Sequence, residues 1–197
     1  MLHSFSKKLA AITIKKSCNE ENKINILTYG YELIFSQVIS ILLFLLIGII
    51  LGFGWETCLF LVSFVCLRIF CGGFHANSYY GCFISSMIIT FLVVGVGCIV
   101  GKYQISWPAI ILMVISSLIL VFRGPFINPK HPLSLVRIHV NRKKAYCVII
   151  IEDISIVSFL FAQQHIAAYI LTFSEMVVAI LLLLAHIKKR KEERTYV

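Results

Sequence analysis

Charge is scarce in this chain, and acidic charge above all. Of 197 residues only nine are Asp or Glu, and all charged residues together make up 14%, against about a quarter in a soluble domain. There is no internal repeat and no low-complexity linker, which argues against an array or a string of modules. The first 32 residues hold no apolar h-region of the kind that marks a cleavable signal peptide. The seven cysteines show no paired spacing, so no disulfide framework is indicated. What is abundant is apolar: 59% of residues are hydrophobic and the mean hydropathy is +0.93. A soluble chain this short could not hide that much apolar surface in one core. Soluble, disordered, collagenous and nucleic-acid-binding classes are excluded, and lipid is the expected solvent.

The runs that need lipid can be counted. A spanning helix takes roughly 20 mostly apolar residues. Leu33–Phe53, Cys82–Gly101 and Trp107–Phe122 are uncharged runs. Cys58–Cys71 is shorter, preceded by Glu56 and interrupted by Arg68. Ala145–Ala162 carries Glu152 and Asp153, and Ile166–Ile187 carries Glu175. The sequence thus predicts an all-α, polytopic membrane protein with about six transmembrane helices.

The net charge of +9 has an address. Of 18 Lys and Arg, five lie in residues 1–32, six in 123–144 and five in 188–197, leaving Arg68 and Lys102. Those three segments alternate with short connections holding a single Lys. By the positive-inside rule both termini are cytoplasmic, and so is the segment 72–81. The basic excess is read as topology, with membrane lipid and not nucleic acid as its partner. The expected organisation is one domain, 1–197: an arm 1–32, a bundle 33–187 with a broken turn 68–82 and a basic loop 123–144, and a tail 188–197. In the arm, Leu2, Phe5, Leu9 and Ile12 recur at helical spacing between Lys7, Lys8, Lys15 and Lys16. That fits an amphipathic helix on an anionic leaflet; a frayed, solvated tail is the alternative. Most cysteines read as small apolar residues in helices, and a bridge between Cys58 and Cys98 is the one pairing the topology would allow.

Chemistry is concentrated in 68–82. Gly72, Gly73, Asn77, Ser78 and Gly81 stand between two apolar runs, so the backbone there is expected to break from helix. His75 and Cys82 are seven residues apart, about 10 Å along an unbroken helix and too far for a hydrogen bond. A reversal would bring imidazole to thiol. Cys82 would then open the third span, where a helix N-terminus and a neighbouring imidazolium both favour thiolate. Free N–H groups of that turn would receive an oxyanion. Nucleophile, base and anion hole are the parts of a Cys/His acyl-transfer site. Two other readings stand beside it. Cys71, His75 and Cys82 as zinc ligands lack a fourth ligand and a familiar spacing, so no metal and no cofactor is expected. Otherwise His75 is interfacial and Cys82 is packing.

With those residues in view, the chain resembles the accessory gene regulator B family of Gram-positive bacteria. The family pattern Arg-x-x-x-Gly-Gly-x-His-Ala, followed by a Cys seven residues after the His, reads here as Arg68, Gly72, Gly73, His75, Ala76 and Cys82. Arg123–Leu133 is similar to the family's Pro…Asn-Lys-Pro segment, with Asn128 and Lys130 inside it, and Tyr29–Leu33 to its stretch before the first span. The resemblance covers nearly the whole chain. It implies a cysteine endopeptidase of the bacterial cytoplasmic membrane, its active site facing the cytoplasm, that matures a short peptide pheromone precursor. Cys82 is the nucleophile, His75 the base and then the acid, and Arg68, Gly72 and Gly73 support the turn. An internal Cys or Ser of the precursor takes the acyl group and closes a thiolactone or lactone. Family precursors have an acidic C-terminal segment, for which Arg123, Asn128, Lys130, Lys143 and Lys144 are candidate contacts.

Glu32 is a candidate third catalytic member, orienting His75. Arg68, Glu152, Asp153 and Glu175 are functional candidates because ionisable residues inside spans are costly; their pairing would hold the bundle, or a homodimer, together. Three acids in the last two spans also suit a transporter or permease, although the second half shows no break to match Gly72-Gly73. A non-catalytic scaffold would need no His/Cys turn.

Overall fold

A computed structural model describes residues 21–72, 79–124 and 135–195. Six α-helices and no strand occur among them: α1 Glu21–Ile50, α2 Gly54–Cys71, α3 Tyr79–Gly101, α4 Trp107–Arg123, α5 Leu135–Phe161 and α6 His165–Thr195. The chain forms two compact units, 1–47 and 48–197. The first contributes most of α1. The second holds the other five helices.

Helix boundaries follow local chemistry. Gly52 adopts φ 80°, and its N–H reaches Ile49 O at 3.0 Å while Phe53 N–H reaches Gly48 O at 2.8 Å. This paired closure satisfies carbonyls that a helix end would leave bare in lipid. Gln163 plays the same part after α5, with φ 59° and the bonds Gln163 N–H to Leu160 O and Gln164 N–H to Phe159 O.

Most helices are longer than the apolar runs that revealed them. α2 begins at Gly54 and takes in Glu56; its 18 residues rise about 27 Å. α5 begins at Leu135, so Arg137, Arg142, Lys143 and Lys144 stand on a helix and not in a loop as the sequence suggested. Nothing between Leu135 and Ala145 is Gly or Pro, and straight-chain basic residues are good helix formers, so the helix runs on past its apolar part. For the same reason α6 continues through the basic tail to Thr195. The arm's proposed amphipathic helix lies outside the described residues.

Four segments are long and apolar enough to cross a membrane: Gly30–Ile50, Gly54–Cys71, Gly81–Gly101 and His165–Arg190. Trp107–Arg123 is apolar but shorter, at 17 residues, and α5 carries its basic turn and two acids. Exposure agrees with a lipid environment. On α3, Ile84, Ile88, Leu92, Val96 and Ile99 make one exposed apolar stripe, and on α4 Ile110, Val114, Leu118 and Phe122 make another.

α6 is the centre of the second unit and packs on α2, α3, α4 and α5. Its run Ala167–Thr172, with Ser174 and Glu175, is buried on every side. It also serves as a ruler. A Cβ on Gly101 would meet Ile166, one on Gly97 would meet Ile170, and one on Gly124 would come within 3.9 Å of Leu182. Ser63 meets Ser174 and Ser117 meets Glu175. So α2 and α4 run parallel to α6, and α3 runs against it. One end of the unit therefore gathers Cys71, the start of α3 and Arg123; the other gathers the start of α2, the end of α3 and the α5–α6 turn. Tyr169 ties the α3–α4 connection to the second end by donating its hydroxyl to Ile105 O at 2.8 Å.

Candidate active site

The glycine break sits where the sequence placed it. Gly72 caps α2 at φ 76° with its N–H on Arg68 O at 3.0 Å, in the left-handed region that glycine enters without penalty. Gly73 and His75 lie outside the described residues. The chain resumes as helix at Tyr79, so Cys82 is the fourth residue of α3 and does not open it. That differs from the sequence reading by one turn. A thiol there still sits at the positive end of the helix dipole.

Cys82 is half-buried and a free thiol; Cys71, at the end of α2, is a free thiol with no exposed surface. Cys58, Cys66, Cys98 and Cys147 are free as well, so the Cys58–Cys98 bridge does not form. Arg68, on the last turn of α2, comes within Coulombic range of Cys82 across the α2–α3 contact. Its guanidinium also lies 5.6 Å from the Phe64 ring centroid, which holds the cation over an apolar face. The two described ends of the broken turn thus bring a cation and a sulfur together. No group of three or more His, Cys, Asp or Glu able to hold a metal occurs among the described residues.

The basic candidates divide. Arg123, Lys143 and Lys144 are exposed; Arg142, beside them, donates Nε–H to the Tyr146 hydroxyl at 2.7 Å and stacks over its ring. Asn128 and Lys130 lie outside the described residues. Arg123 stands at the same end of the second unit as Cys82, by the ruler of α6. Glu32 is on α1, in the first unit.

The three acids of α5 and α6 are brought together, but not in the way foreseen. Hydroxyls hold them. Ser63 bonds Glu152 and Ser174, the latter at 2.7 Å. Ser117 reaches both Asp153 Oδ1 at 2.7 Å and Glu175 Oε1 at 2.6 Å. Serines at mid-helix were the signal the sequence reading passed over: in lipid a hydroxyl inside an apolar helix needs a partner, often on another helix. Ser117 has one proton for two carboxyl groups, which makes it the weak link of the layer. Ser117→Ala is expected to cost about 1–3 kcal/mol, read as a lower melting temperature of the detergent-purified protein. An unchanged melting temperature would show that the layer is not load-sharing.

Comparison with known proteins bears on the reading. The family model described as accessory gene regulator B matches residues 6–185. A curated protein of Halalkalibacterium halodurans, named for its likeness to AgrB, is 23% identical over 171 residues, covering 87% of this chain and 84% of that one. No solved structure matches.

Proposed function

Since the chain belongs to the accessory gene regulator B family, we propose that it is a membrane-embedded cysteine endopeptidase that matures a peptide signal. What carries the proposal is the placement of Cys82 on the first turns of α3, opposite Arg68 and seven residues after His75, in the motif the family shares.

The chemistry runs in two exchanges. His75 takes the Cys82 proton, and the thiolate attacks the carbonyl carbon at the C-terminal end of the precursor's core. The tetrahedral intermediate collapses with cleavage of the C–N bond, and His75 returns the proton to the departing amine. The core is left as a thioester on Cys82. A Cys thiol within the precursor, deprotonated by His75, then attacks that thioester, the Cys82 thiolate leaves and recovers its proton, and the peptide closes as a thiolactone. With Ser in place of Cys the product is a lactone. Thioester exchange is nearly neutral in energy, so the acyl bond is conserved, provided water is kept out; a half-buried thiol at the membrane edge serves that need. Gly72 and Gly73 would shape the turn.

In this reading α1 to α6 are six spans with both termini cytoplasmic, and the active end faces the cytoplasm. The exposed Arg123, Lys143 and Lys144, with Asn128 and Lys130, would seat the acidic segment of the precursor by charge attraction. A homodimer is compatible with the exposed apolar faces. A transporter remains the second reading, favoured by the layer of three acids, of which Glu152 and Glu175 are buried.

The test is covalent. A peptide of the precursor's core ending in an electrophile, in place of the scissile amide, is expected to label the purified protein once, on Cys82. Labelling should weaken as salt rises if an acidic tail is included in the peptide, because screening weakens exposed charge pairs. Labelling spread over Cys66 and Cys147, which are exposed, with Cys82 spared, would sink the proposal.

A further inference from the structure

The end of the second unit opposite Cys82 contains a cavity of about 390 Å³ that the Cys82 chemistry does not use. It lies where α2 begins, α3 ends and α5 turns into α6. Cys82 and Gly101 are 19 residues apart on α3, about 28 Å along a helix axis, so the two sites cannot share one bound residue.

The lining is polar in a particular way. Glu56 supplies a carboxylate, Lys102 an ammonium, and Gln104, Gln163 and Gln164 three carboxamides. His165, which also lines the cavity, is 4% exposed. Its Nε2 meets Gln163 Oε1 at 3.2 Å, and its Nδ1 has no partner among the described residues. With Nε2 donating to the carboxamide oxygen, Nδ1 of the neutral ring is an acceptor without a donor. Buried polar atoms normally have a partner, and this one lacks it in a residue that borders the cavity.

These groups together select a chemistry. A simple anion would meet Glu56, and a simple cation would meet Lys102. A ligand with both charges satisfies both. Carboxamides complement peptide units, since each offers a carbonyl acceptor and an N–H donor. Trp55, Leu59 and Ile166 add apolar wall for small side chains. The volume falls at the lower end of the range for small-molecule sites, larger than one free amino acid needs.

We propose that this cavity binds a short peptide with free termini, at the end of the bundle opposite Cys82. Glu56 holds the ammonium, Lys102 the carboxylate, and the glutamines the backbone between. The inference stands on the cavity alone and does not depend on the reading of Cys82.

Trp55 is a built-in reporter. The chain has two tryptophans, so Trp107→Phe leaves Trp55 as sole source of indole emission. In the full chain reconstituted in lipid nanodiscs, titration with trialanine is expected to change Trp55 emission saturably. Glu56→Gln with Lys102→Met should shift the midpoint at least about tenfold, the ratio that one modest interaction confers. Acetylating and amidating the trialanine should shift it likewise. The response should persist in Cys82→Ala, so loss of peptidase function and loss of this site are read separately. No saturable change, the same midpoint in the Glu56→Gln/Lys102→Met variant, or saturation by free alanine at lower concentration than trialanine would each overturn the proposal.

Discussion

Cys82→Ser is expected to abolish maturation of the precursor while leaving the protein in the membrane at its normal level. A serine hydroxyl at this position lacks the acidity of a thiol, and neither a helix terminus nor Arg68 makes up so large a difference. The loss should be on the order of a thousandfold or more in turnover, the scale seen when a nucleophile is removed from an acyl-transfer unit. His75→Ala should fall as far, because nucleophile and base act together and their losses do not add. Arg68→Lys separates charge from shape. It keeps a cation near the sulfur but not the planar stacking on Phe64, so partial activity is expected, with Arg68→Met lower still. The measurement is conversion of full-length precursor by membranes carrying each variant, read by mass. Normal processing by Cys82→Ala would remove the peptidase reading altogether.

The second large effect concerns packing. Gly101→Leu should prevent α3 from seating against α6. A Cβ at Gly101 would lie 2.6 Å from Ile166 Cα, and one at Gly97 would lie 2.7 Å from Ile170 Cγ1. Backbone cannot yield as a flexible side chain does, so the helices must separate. Overpacking of this kind costs about 1–3 kcal/mol for added methylenes, and a whole leucine against main chain should reach or exceed the top of that range. Gly101→Ala should be milder, and Gly97→Ala milder again because a side-chain methylene can rotate. Gly95 is the control: nothing stands within 4 Å of its Cβ position, so Gly95→Ala should be neutral. Melting of the detergent-purified variants ranks the four. Equal stability of Gly101→Leu and the parent would mean that α3 and α6 do not meet closely.

Glycine four residues from glycine, facing a helix without lateral room, is a common way for helices to meet in lipid. The pattern Gly97-x-x-x-Gly101 was open to view in the sequence, but periodicity alone could not say which helix lay opposite. That difference marks what could be read early. Apolar length and glycine punctuation located the cores of all six helices, and Gly72 ended α2 as expected, because these are local properties of the chain. Helix ends on the aqueous side were misjudged. At Lys143, Lys144 and Lys188 polarity was taken for loop, whereas a basic helix is stable in water once an apolar stretch has nucleated it.

The site divided in the same manner. Arg68, His75 and Cys82 are close in sequence and could be grouped by spacing. The bonds of Ser63 to Glu152 and of Ser117 to Glu175 join residues far apart in the chain, and so does the cavity of Glu56, Lys102 and His165. Pairings of that kind depend on helix direction and rotation, and hydropathy carries neither.

The central position of α6 also orders events in time. It leaves the ribosome after the other five described helices, yet Glu175 and Ser174, which complete the hydroxyl–carboxyl layer, are on it. Until it arrives, Ser63 and Ser117 lack their bonds to Ser174 and Glu175, and Gly97 and Gly101 of α3 lack Ile170 and Ile166 opposite them. The helices before it must therefore wait for α6 before the layer and the α3 seam can close.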